Sequence, residues 1–262
     1  KSAIKKLIPK AWLQQYHKIL ALLAAWWYGN PSNKLVVIGV TGTNGKSTTV
    51  NLIGRALEAT GKTIGITSTV NFKVGSREWL NNTKMTMLGR FALQKLLKEM
   101  VAGGCRYAVI ETSSEGIVQS RHLGINYDVA VFLNLTPEHI ESHGGFENYK
   151  KAKGELFQHL TRRPRKTFDG QSVPKTIVAN IDDPHGAYFL HFEADQKIGV
   201  SMSDASAQSL DRLIQAQQVE ITAAGSSFSV HGVPFSLQLL GKWNVSNALA
   251  AIGVGQAFGC SL

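Results

Sequence analysis

The chain has 262 residues, of which 44% are apolar and 18% charged. Those proportions exclude a disordered, collagen-like or disulfide-scaffold protein, and they suit one α/β domain with a small appendage. Lys and Arg total 28 against 18 Asp and Glu, a formal charge of +10. Such an excess points to anionic partners, whether nucleotide, phosphorylated metabolite, nucleic acid or anionic lipid, without choosing among them. Cys105 and Cys260 fall in no metal-binding or redox spacing and read as free thiols of a reducing compartment.

Residues 1–34 carry six lysines and no acid, and are read as a basic helical extension ahead of a domain spanning 35–262. Pro9 followed by Ala11-Trp-Leu reads as a helix start. Leu13, Tyr16, Leu20, Leu23 and Trp27 recur at helical spacing, so a helix packed on the domain is expected. Lysines and tryptophans over residues 11–28 also suit a helix lying on a membrane surface. The apolar run Ile19–Tyr28 is too short to span a bilayer. No signal peptide is read in the sequence, and a cytoplasmic location is expected.

Leu35–Val40 is a wholly apolar strand, as in a parallel sheet covered on both faces. A glycine-rich turn follows, then a helix over Thr48–Thr60 with Val50, Ile53, Ala56 and Leu57 inward, then a strand at Thr63–Thr67. Further on, the pattern predicts a helix over Phe91–Val101 and strands at Tyr107–Glu111 and Asp128–Asn134. A helix over Phe146–Leu160, a loop to Lys175 and a strand at Thr176–Asn180 complete that half. Strand–helix alternation of this kind predicts an open, mostly parallel α/β sheet with helices on both faces. Val219–Ile221, Ser227–Val230 and Phe235–Leu239 alternate around a His231-Gly232 turn, a small antiparallel hairpin read as an extension of the main sheet. Trp243–Phe258 reads as a helix.

The sharpest local feature is Gly42-Thr43-Asn44-Gly45-Lys46-Ser47-Thr48, between the buried strand and a helix. Two glycines allow the backbone to close around phosphate oxygens, Lys46 can reach terminal phosphates, and the Ser47 hydroxyl can ligate Mg²⁺. Val40 stands where the strict P-loop pattern has glycine. A lysine–serine pair fits a nucleoside triphosphate rather than a dinucleotide, and the lack of a guanine-reading Asn-Lys-x-Asp favours ATP. Glu111 ends a core strand, where open sheets place their sites, and can hold Mg²⁺. Asn134 to His143 sets seven polar or ionisable side chains in ten residues after another core strand. Within it His139 is read as a metal ligand or ligand-orienting group and Glu138 as either a site residue or a solvated one. Lys153 falls toward the inward side of its helix, where a free ammonium is costly. Nucleic-acid binding is not expected, because no reading motif or aromatic interleaving accompanies the basic charge.

These segments together resemble the Mur ligases. Gly39–Thr49 is similar to their ATP loop. Glu111-Thr-Ser-Ser-Glu-Gly-Ile-Val-Gln-Ser-Arg121 is similar to their Glu-x-Ser-Ser segment in its MurE-type form. His139–His143 with Tyr149-x-x-Ala-Lys153 resembles a further block, and Asn180-Ile-Asp-Asp183 and Leu240–Asn247 resemble two later ones. The resemblance implies an ATP-dependent ligase that phosphorylates the carboxylate of a UDP-linked muramyl peptide and joins it to an amino acid. Lys46 would contact ATP, Ser47, Glu111 and His139 would serve Mg²⁺, and Lys153 would be carbamylated. Asn180, Asn244 and Asn247 match positions near adenine. Thr86, Ser113 and Arg121 match positions on the muramyl substrate. Departures occur at Thr86-Met-Leu88, at Glu115 and at Glu138. The resemblance covers only the central one of three domains, so weak or absent turnover is expected of this stretch alone. Folylpolyglutamate or cyanophycin synthetase-like, MurT-like and non-catalytic ATP-binding readings stay open.

Overall fold

The structure is a computed structural model and describes residues 10–138, 140–203 and 210–262. Expectations for Pro9, for the lysines before it and for His139 lie outside the described residues.

At the centre lies β1 (Val36–Thr41), buried along its whole length. Val37 points into one apolar layer, and Ile38 and Val40 into the other. A strand that is apolar on both faces is stable only if helices cover both. On one side α3 (Arg90–Ala102), α6 (Phe146–Thr161) and the short α7 (Gly186–Leu190) supply Leu97, Phe157 and Phe189. On the other, α2 (Lys46–Glu58) and α8 (Lys242–Ala257) supply Ile53, Leu57 and Leu249. Each such side chain, fully buried, contributes about 1.5–3 kcal/mol. The small inward residue of α2 is Gly54, not Ala56, which is exposed; a Cβ at Gly54 would come within 2.7 Å of Ile66.

The sheet has nine strands. Beside β1 run β5 (Tyr107–Glu111) and β6 (Val129–Phe132), both parallel to it. Beyond β6 lie β9 (Thr176–Asn180), β10 (Gln196–Ser201) and β11 (Arg212–Gln215); beyond β5 lies β2 (Ile64–Thr67), all parallel. The hairpin of β3 (Asn71–Val74) and β4 (Arg77–Leu80) closes that edge antiparallel. Parallel strands bring all their C-terminal ends to one edge, and β1 leaves that edge between neighbours reached by opposite crossovers. This is the place where open α/β sheets bind ligands.

Two expectations about strands are corrected. The C-terminal hairpin does not extend the main sheet: β12 (Gln217–Thr222), β13 (Gly225–Val230) and β14 (Val233–Leu237) form a separate three-stranded sheet. Gln218, at φ 52°, and the register shift after Gln217 turn the chain away from β11. The stretch read as a loop to Lys175 contains a small hairpin, β7 (Thr167–Phe168) and β8 (Gln171–Ser172). Its turn is Asp169-Gly170, both at positive φ, the geometry that matches strand twist. Lys166 and Lys175 flank this hairpin and are buried, not solvated. Both donate to the fully buried Asp128, and each also donates to nearby carbonyl oxygens. One carboxylate thus pins the hairpin under the sheet.

The N-terminal helix, α1 (Lys10–Trp27), packs on α3 and on the 3-10 turn Arg121–Gly124. Its buried face is made by Ala21, Ala24 and Ala25. Tyr16, Leu23 and Trp27, expected to face the domain, are exposed. Small residues win this face because α1 lies close to the turn: a Cβ at Gly124 would meet Ala21 O at 2.6 Å.

Candidate active site

The loop after β1 is shaped by close backbone approach. A Cβ at Gly42 would lie 2.9 Å from Leu133 Cβ, and Gly45 adopts φ +83° with Asn247 Oδ1 2.4 Å from where its Cβ would stand. Asn134, just beyond β6, accepts from the Thr43 and Asn44 amides (3.1 and 2.8 Å) and donates to Asn44 O. The loop is therefore held from outside, by a side chain whose importance the sequence pattern did not single out. Helix α2 starts at Lys46, two residues before the expected Thr48, and no side chain caps it. Its first amides, including those of Lys46, Ser47 and Thr48, lack helical acceptors and suit an anion.

Sheet register brings the carboxylate to this loop. Val40 pairs with Glu111, and Thr67 pairs with Ile110. Glu111, only 2% exposed, accepts from Ser47 Oγ at 2.7 Å. Thr69 binds both carboxylate oxygens, through its amide at 2.7 Å and its hydroxyl at 3.0 Å. Sequence reasoning missed Thr69. Its position just past the end of a core strand, one strand over from Glu111, was the available signal. A hydroxyl and a carboxylate held side by side are hard oxygen donors, and they fit Mg²⁺, which keeps several waters and takes phosphate oxygens. Among the described residues no group of three His, Cys, Asp or Glu could hold a metal ion.

Two lysines meet the loop from opposite sides. Lys46 Nζ donates to Gly42 O and Thr43 O at 3.1 and 2.7 Å, and Lys153 Nζ donates to the same Gly42 O at 2.8 Å. Lys153 is 1% exposed and its ammonium lies 4.5 Å from the centre of the Tyr149 ring. Burial holds Lys153 well below the ordinary lysine range, and the Lys46 charge adds to this, with Glu138 opposing. Burial lowers Lys46 too, while Glu111 and Glu138 push it back up. Tyr149 shares a hydrogen bond with Thr43 Oγ1, tying the Lys153 helix to the loop. Glu138 is exposed and accepts from Asn44 Nδ2 at 3.1 Å.

A cavity of about 610 Å³ opens from this cluster. Gly42, Thr43, Lys46 and Lys153 line it together with Thr86, Ser113 and Arg121. Ser113 caps the short helix α4 (Ser114–Val118) by accepting from Gly116 N. Arg121 donates to Met87 O and to Gln119 Oε1, while its buried Nε has no partner among the described residues. His143, at the end of α5 (Ile140–His143), also lines the cavity and shares a 3.1 Å hydrogen bond with Ser114 Oγ.

The three asparagines are placed differently from one another. Asn247 backs Gly45, and its amide donates to Asn244 Oδ1, while Asn244 donates to Leu240 O. Asn180 ends β9 with its amide used on Leu133 O and Asp182 N, so it ties two strand ends together. The arrangement as a whole gathers loop amides, two lysines and an arginine around one cavity, a lining suited to anionic groups.

Comparison with known proteins agrees with this geometry. Residues 40–255 match the Mur ligase middle domain. The chain is 38% identical over 261 residues to the UDP-N-acetylmuramoyl-L-alanyl-D-glutamate–2,6-diaminopimelate ligase of Geobacillus kaustophilus, covering 97% of this chain and 50% of that protein. It is 37% identical to the UDP-N-acetylmuramyl-tripeptide synthetase of Roseiflexus sp. over 262 residues, covering 93% of this chain and 48% of the other. The chain thus spans about half the length of the curated relatives it matches. A solved diaminopimelate ligase structure superposes with a TM-score of 0.74 at 26% identity, covering 93% of this chain and 48% of that one. A folylpolyglutamate synthase from Mycobacterium tuberculosis, at 16% identity and a TM-score of 0.66, covers 93% of this chain and 60% of its own and shares the fold. With a matching middle domain over most of its length and a phosphate loop, carboxylate and buried lysine gathered at one sheet edge, this chain belongs to the Mur ligase family.

Proposed function

We propose that this chain carries the ATP-dependent half of a carboxylate–amine ligase acting on a UDP-linked muramyl peptide. The observation that supports it most is the presence of two groups in one cavity: Lys46 and Lys153, both on Gly42 O, and Thr86, Ser113 and Arg121. A substrate carboxylate oxygen would attack the γ-phosphorus of ATP and release ADP. The amine of an amino acid would then attack the acyl carbon, phosphate would leave, and the amine proton would pass to water.

In this reading the loop amides and Lys46 hold the triphosphate, placing its terminal phosphate beside Lys153. Ser47 and Glu111 would hold Mg²⁺, with Thr69 fixing the carboxylate; a bound cation would supply positive charge against phosphate oxygens. Lys153 is carbamylated. Its buried amine favours the neutral form that adds CO₂ with loss of a proton, and the anion formed replaces a second like charge beside Lys46. His139 keeps the metal role that the resemblance implies. The adenine role of Asn180, Asn244 and Asn247 rests on the resemblance as well. Arg121 and Ser113 orient the muramyl substrate, with guanidinium contacts suited to its anionic groups. The free thiols Cys105 and Cys260 fit a reducing compartment, and we assign the reaction to the cytoplasm.

The test is phosphate release by a complete three-domain ligase in which this chain supplies the middle domain, with ATP and UDP-N-acetylmuramoyl-alanyl-glutamate, comparing diaminopimelate, lysine and no amine. Release that needs the muramyl peptide, is lost in Lys153→Ala and is partly restored by short carboxylates is expected. ATP consumption indifferent to the muramyl peptide, or unaffected by Lys153→Ala, would overturn the assignment.

A further inference from the structure

Helix α1 is apolar on the side that faces away from the protein. Trp12, Tyr16, Ile19, Leu23, Trp26 and Trp27 are 47–75% exposed. Trp12, Tyr16, Ile19, Leu23 and Trp26 are spaced three or four residues apart, so they form one stripe along the helix, and Trp27 widens it at the end. A helix resting on a soluble domain normally turns charged residues outward. Here the alanine face is buried and the aromatic face is left over, an apolar patch that marks an interaction surface.

The helix itself is basic, although Glu155 lies close enough to Lys18 to feel its charge. Residues 1–57 contain no Asp or Glu, the first acid being Glu58. Lys34 and Lys98 line, with Trp26 and Trp27, a hollow of about 440 Å³ at the end of the helix. Among the described residues no helix is long and apolar enough to cross a membrane. Indoles and a phenol suit the headgroup region, where the ring is buried and the N–H or O–H stays hydrated. They fit poorly as the knobs of a helix–helix seam, which favours aliphatic side chains.

We propose that α1 lies on the surface of an anionic bilayer, with its Trp/Tyr stripe in the headgroup layer and Lys34 and Lys98 against lipid phosphates. The helix is connected to the cleft. Arg90 donates to His17 O at 3.2 Å and to Gln119 O at 2.5 Å, two residues before Arg121. Docking through α1 therefore holds the Arg121 part of the cavity close to the membrane. This inference is independent of the ligase chemistry, because it uses no residue of that cavity for lipid contact.

Sedimentation of the full chain with phosphatidylcholine vesicles, with and without phosphatidylglycerol, tests it. Partitioning at least about tenfold stronger on the anionic vesicles, reversed by high salt, is expected. A blue shift of tryptophan fluorescence on binding is expected too. Replacing the exposed Trp12, Tyr16, Trp26 and Trp27 by serine leaves the core untouched and is expected to lower partitioning about a hundredfold, with unchanged melting temperature. The pair Lys34→Glu and Lys98→Glu keeps the stripe and is expected to abolish the preference for anionic lipid. Equal binding to neutral and anionic vesicles would overturn the proposal. So would absence of vesicle binding, whether the stripe then mediates a concentration-dependent dimer or no association at all.

Discussion

Acidification is expected to unfold this protein through two histidines that the active site does not use. His122 and His159 are buried, with rings 5.3 Å apart, edge to face. Burial pushes His122 down to about 3, with His159 adding to the effect and the Ile117 backbone opposing it. Burial pushes His159 down to about 4, against a hydrogen bond to Ile125 O and with Arg163, Arg162 and Lys175 nearby. Both rings stay neutral in the folded state at a pH where the unfolded chain, with values near 6.5, takes up protons. The unfolded state then binds more protons, so stability is fully present above about pH 6.5 and falls as pH drops toward the folded values. The loss is about 1.4 kcal/mol per pH unit for each histidine. Between about pH 6.5 and 5 this amounts to about 2 kcal/mol each and about 4 kcal/mol for the pair, a large part of a typical domain's stability. Urea unfolding at a series of pH values measures it directly, and the variant His122→Leu is expected to halve the slope whatever it does to absolute stability. A flat stability profile over that window, or histidine resonances titrating near the ordinary value, would refute the reasoning.

Three further outcomes follow from single positions. Gly45→Ala forces a left-handed residue, costing about 1–2 kcal/mol, and drives a methyl into Asn247. A lowered melting temperature together with lost nucleotide affinity is expected by calorimetry. Asp128→Asn leaves Lys166 and Lys175 buried without a counter-charge, and should lower stability by about 3–5 kcal/mol in denaturant titration. Lys46→Ala removes the charge proposed to contact phosphate and should weaken ATP binding by about ten- to a hundredfold, with the fold intact by circular dichroism.

Much of the fold was legible because its signals are local. The apolar runs at β1, β5, β6 and β9 and the periodic stretches at α3, α6 and α8 lie within a residue or two of their expected places. Two hairpins were overlooked although Gly75-Ser76 and Asp169-Gly170 are recognised two-residue turns. Their strands are short, and short alternating runs carry little pattern. The face of α1 was misjudged for a different reason: periodicity locates a stripe of large apolar residues, but it does not say whether protein, solvent or lipid meets it.

The site divides in the same way. By itself the sequence determined the tight glycine turn between a buried strand and a helix, since Gly42 and Gly45 stand where the backbone closes most tightly. It also determined that Glu111 and Lys153 are ionisable groups on buried elements. Only the tertiary structure decided that they meet. Glu111 reaches Ser47 through the parallel register of β1 with β5, and Lys153 reaches Gly42 O from a helix more than a hundred residues away in the chain. Thr69, which holds the Glu111 carboxylate, belongs to no motif, and the motifs that include Asn134 and Tyr149 did not say that these side chains bond to the Gly42–Gly45 loop. Hydrogen bonds between distant segments depend on three-dimensional distance, and local pattern holds no record of it.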